Sequence, residues 1–163
     1  MIRHLIIGNG PAGVVAAETL RRADAQAEIT LIGDEAEPPY SRMAIPYLLS
    51  GKIGEPGTYL RKDADHFERL RIQLLHGRVA GLDAGQQTVT LSDGSTLAWD
   101  KLLIATGAHP LRPPIPGIDL PQVLSCWTLA DARRIAAAVA PGARVLQMGA
   151  GFIGCIILES LAA

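Results

Sequence analysis

Two hydrophobic rhythms alternate along this chain. An unbroken apolar run from His4 to Ile7 predicts a buried parallel strand, and it stops at Gly8. Small and apolar residues then recur at helical spacing through Val14, Ala17 and Leu20. Glu28 to Gly33 reads as a second strand, so the chain opens as a strand–helix–strand unit. Pro38-Pro39-Tyr40-Ser41-Arg42 predicts a loop, and Met43 to Leu49 a short helix interrupted by Pro46. Thr58 to Leu60 reads as extended, and Ala64 to Leu70 as a helix with Asp63 at its N-cap. Ile72 to Leu75 is a strand. Three more, Arg78–Leu82, Thr88–Leu91 and Thr96–Trp99, predict a small antiparallel meander, its last two strands joined at Ser92-Asp93-Gly94-Ser95. Lys101 to Ala105 returns to a buried strand that closes on Thr106-Gly107.

From His109 onward the pattern changes. Pro110, Pro113, Pro114, Pro116 and Pro121 stiffen one stretch and exclude helix from it, which predicts a connector between domains. Beyond it come a helix over Leu129–Val139, a stop at Pro141-Gly142, a strand over Ala143–Met148 and a helix from Phe152 to Leu161. The expected fold is α/β: a parallel sheet with a small antiparallel meander over residues 1–110, a connector over 111–121, and the beginning of a second α/β unit over 122–163.

The first strand–helix junction carries Gly8, Gly10, Pro11, Ala12 and Gly13, a G-x-G-x-x-G pattern. Gly8 would permit the tight turn, Gly10 close approach of a pyrophosphate, and Gly13 close packing of helix on strand. A diphosphate would then sit on free N–H groups at the helix N-terminus. Asp34 and Glu35 follow the second strand about 20 residues on, where a ribose-binding carboxylate belongs; a solvated acidic turn is the alternative. Gly149, Gly151 and Gly154 repeat the pattern between the predicted strand at 143–148 and the last helix. Two copies in matching context mean far more than one. Both units are therefore expected to be Rossmann-like. The strand that would read the second ribose is missing, so the sequence reads as a fragment of a longer protein.

Composition narrows the classes. The 163 residues are 48% hydrophobic and 19% charged, with a net charge of −1, which gives no reason to expect nucleic acid or an anionic membrane surface as partner. The longest apolar stretch, Val145 to Leu158, contains Gln147 and falls short of the roughly 20 residues of a membrane span. No signal peptide precedes the first strand, so a soluble, cytoplasmic protein is expected. Cys126 and Cys155 form no C-x-x-C pair, and His4, His66, His76 and His109 show no metal-ligand spacing, so no metal is expected. Trp99 and Trp127 read as packing residues. Arg112 could reach a cofactor or hold the connector.

With both glycine motifs and Leu103-Ile104-Ala105-Thr106-Gly107-Ala108-His109-Pro110, the chain resembles the FAD-dependent pyridine nucleotide–disulfide oxidoreductases over essentially its whole length. The resemblance implies an FAD domain interrupted by an NAD(P)H domain. It places Gly8, Gly10, Pro11, Ala12 and Gly13 on the FAD diphosphate and Asp34 or Glu35 on the adenosine ribose. Arg42 would face the pyrophosphate, Val79 would give backbone contacts to the adenine, and Ala105, Thr106 and Gly107 would pass beside the cofactor. Gly149, Gly151, Phe152, Ile153 and Gly154 would form the NAD(P)H diphosphate turn.

The departures set the branch. Disulfide reductases of the family carry a C-x-x-x-x-C pair, whereas no cysteine precedes Cys126 here. Relatives with one redox cysteine place it where Arg42-Met43-Ala44-Ile45-Pro46-Tyr47 has Met43, and a thioether cannot cycle between thiol and disulfide. Ferredoxin- and rubredoxin-reductase relatives have a lysine near the position of Tyr47. Many relatives place a glutamate near the nicotinamide where Ile156 stands, and Glu159 lies a turn further on. The reading is an FAD-dependent oxidoreductase that passes hydride from NAD(P)H to FAD, and electrons to an external acceptor, without a redox disulfide. That acceptor is a small iron–sulfur protein, a partner subunit or a small molecule. The alternatives are a non-catalytic FAD-binding module of a larger complex and an amino-acid or opine oxidase component. A fragment with an uncovered helix face would also tend to associate with itself.

Overall fold

The computed structural model describes residues 1–162. By its internal contacts the chain divides into two units: Met1–Tyr40 with Tyr59–Gly107, and Ser41–Thr58 with the segment from Ala108 onward.

In the first unit, four parallel strands form the main sheet: β1 (Arg3–Ile7), β2 (Glu28–Gly33), β3 (Ile72–His76) and β7 (Lys101–Ile104), in the order β3-β2-β1-β7. β1 is paired on both sides, Ile7 against Ile32 and Ile104. Strand order turns outward in both directions from β1, the kind of switch point at whose carboxyl end open α/β sheets bind ligands. Helix α1 (Pro11–Ala23) covers one face, and Val14 and Ala17 meet Ile6, Ile29, Leu31 and Phe67 in a core from which water is excluded. Leu5 and Ile32 point to the other face and pack with Val89 and Leu91. Burial of these side chains on both faces explains why β1 and β2 read as continuous apolar runs.

Val89 and Leu91 belong to the meander β4 (Val79–Asp83), β5 (Thr88–Leu91) and β6 (Thr96–Ala98), a separate antiparallel sheet. The turn between β5 and β6 has Gly94 at φ +88°, and the Asp93 side chain accepts from Ser95 N at 2.9 Å. Trp99 packs against this cluster, as expected of a packing residue. The predicted helix after Asp63 is shorter than its periodicity suggests. Helix α3 spans only His66–Arg69 with Asp65 at its N-cap, because both Asp63 and Asp65 turn to Arg69, at 3.2 and 2.9 Å, instead of capping amides.

In the second unit, a 3₁₀ turn over Arg42–Ala44 runs into α2 (Ile45–Leu49), with Pro46 in its first turn, where no N–H is needed. Thr58, expected to be extended, instead closes a 3₁₀ turn over Glu55–Thr58. Helix α4 (Leu129–Ala138) starts with a capping box: Thr128 Oγ1 accepts from Asp131 N at 3.0 Å, and Asp131 accepts from Thr128 N at 2.9 Å. Burial pushes the Asp131 carboxyl up, but these amides and Arg134 outweigh it and hold it below the usual range. Helix α5 (Phe152–Ala162) packs on α2, and its Ile157 is buried. Arg112 donates to Ile118 O and pairs with Asp119, so it holds the proline-rich connector.

The strand expected over residues 143–148 is absent. A β-strand needs a ladder partner, and among the described residues this segment pairs with none.

Candidate nucleotide-binding site

β1 delivers the chain to Gly8, which turns at φ +111° and donates its N–H to Ile32 O at 2.8 Å. A side chain at Gly8 would collide with the backbone: an added Cβ would lie 2.1 Å from Ala105 O. Gly13 sits just as tightly, its Cβ position 1.9 Å from Gly8 O, so helix and turn touch where only hydrogen fits. Gly10 is different. It is the N-cap residue, extended, and a Cβ there would meet nothing within 4 Å. The space in front of Gly10 is open while the turn behind it is closed, which is the arrangement a backbone needs if a ligand is to approach it. No acidic residue occupies the first turn of α1 and no side chain caps it, so its N-terminal amides and dipole face outward unneutralised. These observations fit a diphosphate.

A cavity of about 480 Å³ opens at the carboxyl ends of β1, β2 and β3. Asn9, Gly33, Glu35 and His76 line it from the strand ends, and Tyr59, Arg61, Lys62 and Asp63 also line it. The two candidate ribose carboxylates part company here. Glu35 lines the cavity and accepts the Tyr40 hydroxyl at 2.5 Å, whereas Asp34 is exposed, pairs with Arg78 at 3.2 Å and is not in the lining. Val79 pairs with Leu91 across the meander and is also outside the lining. Ala105 abuts Gly8, Thr106 is exposed, and Gly107 turns at φ +70°.

Behind the cavity wall lies a cluster that sequence reasoning missed. Glu18, on the buried side of α1, holds Arg61 through two bonds, Nε to Oε1 at 2.6 Å and Nη2 to Oε2 at 2.7 Å. His66 Nε2 reaches Oε1 at 2.8 Å. The Arg61 hydrogen bond, with His66 adding to it and burial opposing, holds the Glu18 carboxyl below the usual carboxylate range.

The second glycine motif repeats the local geometry of the first. Gly149 turns at φ +100°, a Cβ at Gly151 would meet nothing within 4 Å, and one at Gly154 would lie 2.3 Å from Gly149 O. The first helical bond is equivalent as well, Cys155 N to Gly151 O at 3.0 Å beside Val14 N to Gly10 O at 3.0 Å. Phe152 and Ile153 begin α5 with exposed side chains. In the same unit Arg42 donates Nη1 to Trp127 O at 2.8 Å and lies with its guanidinium carbon 5.3 Å from the centre of the Trp127 ring. Cys126 and Cys155 are free thiols; burial pushes Cys126 up to about 11. Among the described residues, no group of histidine, cysteine or acidic side chains could hold a metal.

The sequence pattern of the pyridine nucleotide-disulphide oxidoreductases matches residues 2–162. The chain belongs to this family. Members of the pyridine nucleotide-disulphide oxidoreductase family use FAD and NAD(P)H, which accords with two glycine turns in one chain. The chain is similar to the NADH-dependent phenylglyoxylate dehydrogenase subunit epsilon of Aromatoleum evansii, with 37% identity over 98% of this chain and 38% of that protein. It is also similar to the benzene 1,2-dioxygenase system ferredoxin–NAD(+) reductase subunit of Pseudomonas putida, with 35% identity over 95% of this chain and 38% of that one. Among solved structures it superposes on a chain of the covalent putidaredoxin reductase–putidaredoxin complex with a TM-score of 0.88 and 31% identity, over 99% of this chain and 40% of that chain. The chain thus spans about 38% of the length of these curated relatives.

Proposed function

We propose that the chain is the flavin-binding part, with the start of the nicotinamide-binding part, of an FAD-dependent NAD(P)H:acceptor oxidoreductase that works without a redox disulfide. One observation carries the reading: two glycine turns with a similar positive φ at the first glycine, the same open second glycine and the same closed third glycine. In this reading residues 1–110 bind FAD, 111–121 connect, and 122–163 begin the NAD(P)H unit; Ala163 lies outside the described residues. The acceptor we propose is a small iron–sulfur protein, in keeping with the relatives that reduce ferredoxin. Among the described residues no helix is long and apolar enough to cross a membrane.

FAD, when bound, supplies the redox chemistry by taking hydride from NAD(P)H and releasing electrons singly. The chain's part is to bind and orient. Gly8, Gly10, Pro11, Ala12 and Gly13 offer backbone amides and a helix dipole to the diphosphate. Glu35, rather than Asp34, is our candidate for the adenosine ribose, because it lines the cavity while Asp34 is turned to Arg78. Arg42, Val79, Ala105, Thr106 and Gly107 remain candidates for the rest of the flavin nucleotide, and Gly149, Gly151, Phe152, Ile153 and Gly154 for the NAD(P)H diphosphate. Two free cysteines and Met43, which is exposed, support electron delivery without a dithiol relay.

The test is a visible absorption spectrum of the purified protein with the released cofactor identified by mass, followed by anaerobic addition of NADH and NADPH to the full-length enzyme. A flavin spectrum from FAD that bleaches with either nucleotide is expected. A flavin inert to both would favour the non-catalytic module, and a protein that cannot be loaded with FAD would refute the reading.

A further inference from the structure

We propose that Glu18 decides which adenosine nucleotides the cavity admits, by withholding Arg61 from it. The inference rests on the reading that this cavity takes the adenosine end of FAD. Arg61 stands in the cavity wall beside Lys62 and Asp63, facing the same space as Glu35. An uncommitted guanidinium there would be a ready fork for a phosphate group. Instead, Nε and Nη2 are closed on the two oxygens of Glu18, and Nη1 on Leu60 O at 2.7 Å. Glu18 comes from α1 and is not part of the cavity lining; it is 8% exposed and also takes His66. Its charge neutralises Arg61, and its two oxygens occupy the Nε and Nη2 donors of the fork.

With Asp63 paired to Arg69, the lining holds the acidic Glu35 and Glu37 against the single ammonium of Lys62, a balance still toward the acidic while Arg61 is engaged. A ribose with both hydroxyls free can donate to Glu35. A ribose that carries a phosphate brings a second anion against these carboxylates while Arg61 is engaged elsewhere. The cavity therefore admits adenosine diphosphates with an unmodified ribose and rejects those with a ribose phosphate, the chemical class of NADPH and coenzyme A. Specificity of this kind comes from a repulsive element as much as from an attractive one.

The experiment is competition against bound FAD, followed by recovery of flavin fluorescence, with ADP and 2′-phospho-ADP as the two probes. Displacement of FAD reads this cavity alone. In the wild type, ADP should displace FAD at a concentration at least about tenfold lower than 2′-phospho-ADP. Glu18→Gln keeps the side-chain shape but removes the charge and one of the two oxygens that hold Arg61, so the ratio should fall to about one or invert. Adding Arg61→Gln to that variant should restore it. Glu18→Met does the same work if the glutamine variant does not fold. The ratio is insensitive to a general loss of stability, because both probes meet the same folded fraction. A wild-type ratio near one, or an unchanged ratio in folded Glu18→Gln, overturns the proposal while FAD binding stands. If neither probe displaces FAD and Glu35→Ala leaves FAD affinity unchanged, the cavity reading fails and takes the proposal with it.

Discussion

Gly10 and Gly13 belong to one motif, yet their surroundings predict opposite consequences of the same substitution. At Gly13 an alanine Cβ would lie 1.9 Å from Gly8 O, 3.0 Å from Gly8 C and 3.1 Å from Leu31 Cδ1. Two of these atoms are backbone in a turn already pinned by the hydrogen bond from Gly8 N to Ile32 O, so the turn must open or the helix must lift off the sheet. Overpacking of this kind costs about 1–3 kcal/mol, and the better helix propensity of alanine returns up to about 1 kcal/mol. The net loss is about 1–2 kcal/mol, which for a chain of this length lowers the melting temperature by roughly 2–8 °C. At Gly10 an added methyl meets nothing within 4 Å and the backbone is in the extended region, so stability should barely change. The methyl stands instead where the diphosphate would approach. Gly10→Ala should therefore melt within about 1 °C of the wild type while its FAD affinity falls at least about tenfold; Gly13→Ala should lose both. Thermal unfolding of the apoprotein by circular dichroism and FAD titration by flavin fluorescence measure the two quantities separately. If Gly10→Ala unfolds as early as Gly13→Ala, or binds FAD as the wild type does, the distinction between an open and a closed glycine is wrong.

Other expectations follow from the charges and thiols. Glu18 titrates below its ordinary value in the folded chain, so the stability it contributes is complete above the unfolded carboxylate pKa of about 4.3 and is lost as pH falls through the lowered folded value. Glu18→Gln should flatten that acid limb in urea melts taken between neutral pH and pH 3; an unchanged limb would assign acid sensitivity elsewhere. Reductive titration of the FAD-loaded protein should consume two electrons per flavin, and alkylation of Cys126 and Cys155 should leave that number unchanged, whereas four electrons would reveal a dithiol. Cys155, exposed, should react with a thiol reagent well before Cys126, which burial pushes up to about 11. Thr128→Ala removes one half of the capping box of α4 and should cost about 1 kcal/mol in denaturant unfolding, with FAD affinity retained.

What could be read from the sequence was whatever is local. The apolar runs of β1 and β2, the glycine spacing and the Asp93-Gly94 turn each announce themselves within a few residues, and each is found where expected. Asp63 misled because an acidic residue ahead of an apolar pattern suits an N-cap, but Arg69 offered it a cationic partner instead. Residues 143–148 have the composition of a strand, but composition does not supply the neighbour that makes a ladder. Spacing alone could not separate Asp34 from Glu35; the difference is that Arg78, 44 residues on, takes the first, and Tyr40 takes the second. Glu18 was invisible for the same reason. It reads as an ordinary polar position on a helix until the fold brings Arg61, 43 residues away, against it.

The second glycine turn has a consequence for the order in which such a domain acquires function. Gly149–Gly154 keeps the shape of Gly8–Gly13 although, among the described residues, the segment leading into it belongs to no sheet. The shape is thus produced by contacts between residues a few positions apart, which close on the timescale of a helix end, about a microsecond. The parallel ladder, by contrast, must bring together partners such as His4 and Lys101, 97 residues apart, and long loops close slowly. A refolding chain would therefore form such a helix end before it forms a sheet, and a dinucleotide captured there would draw the strands toward the native arrangement by mass action.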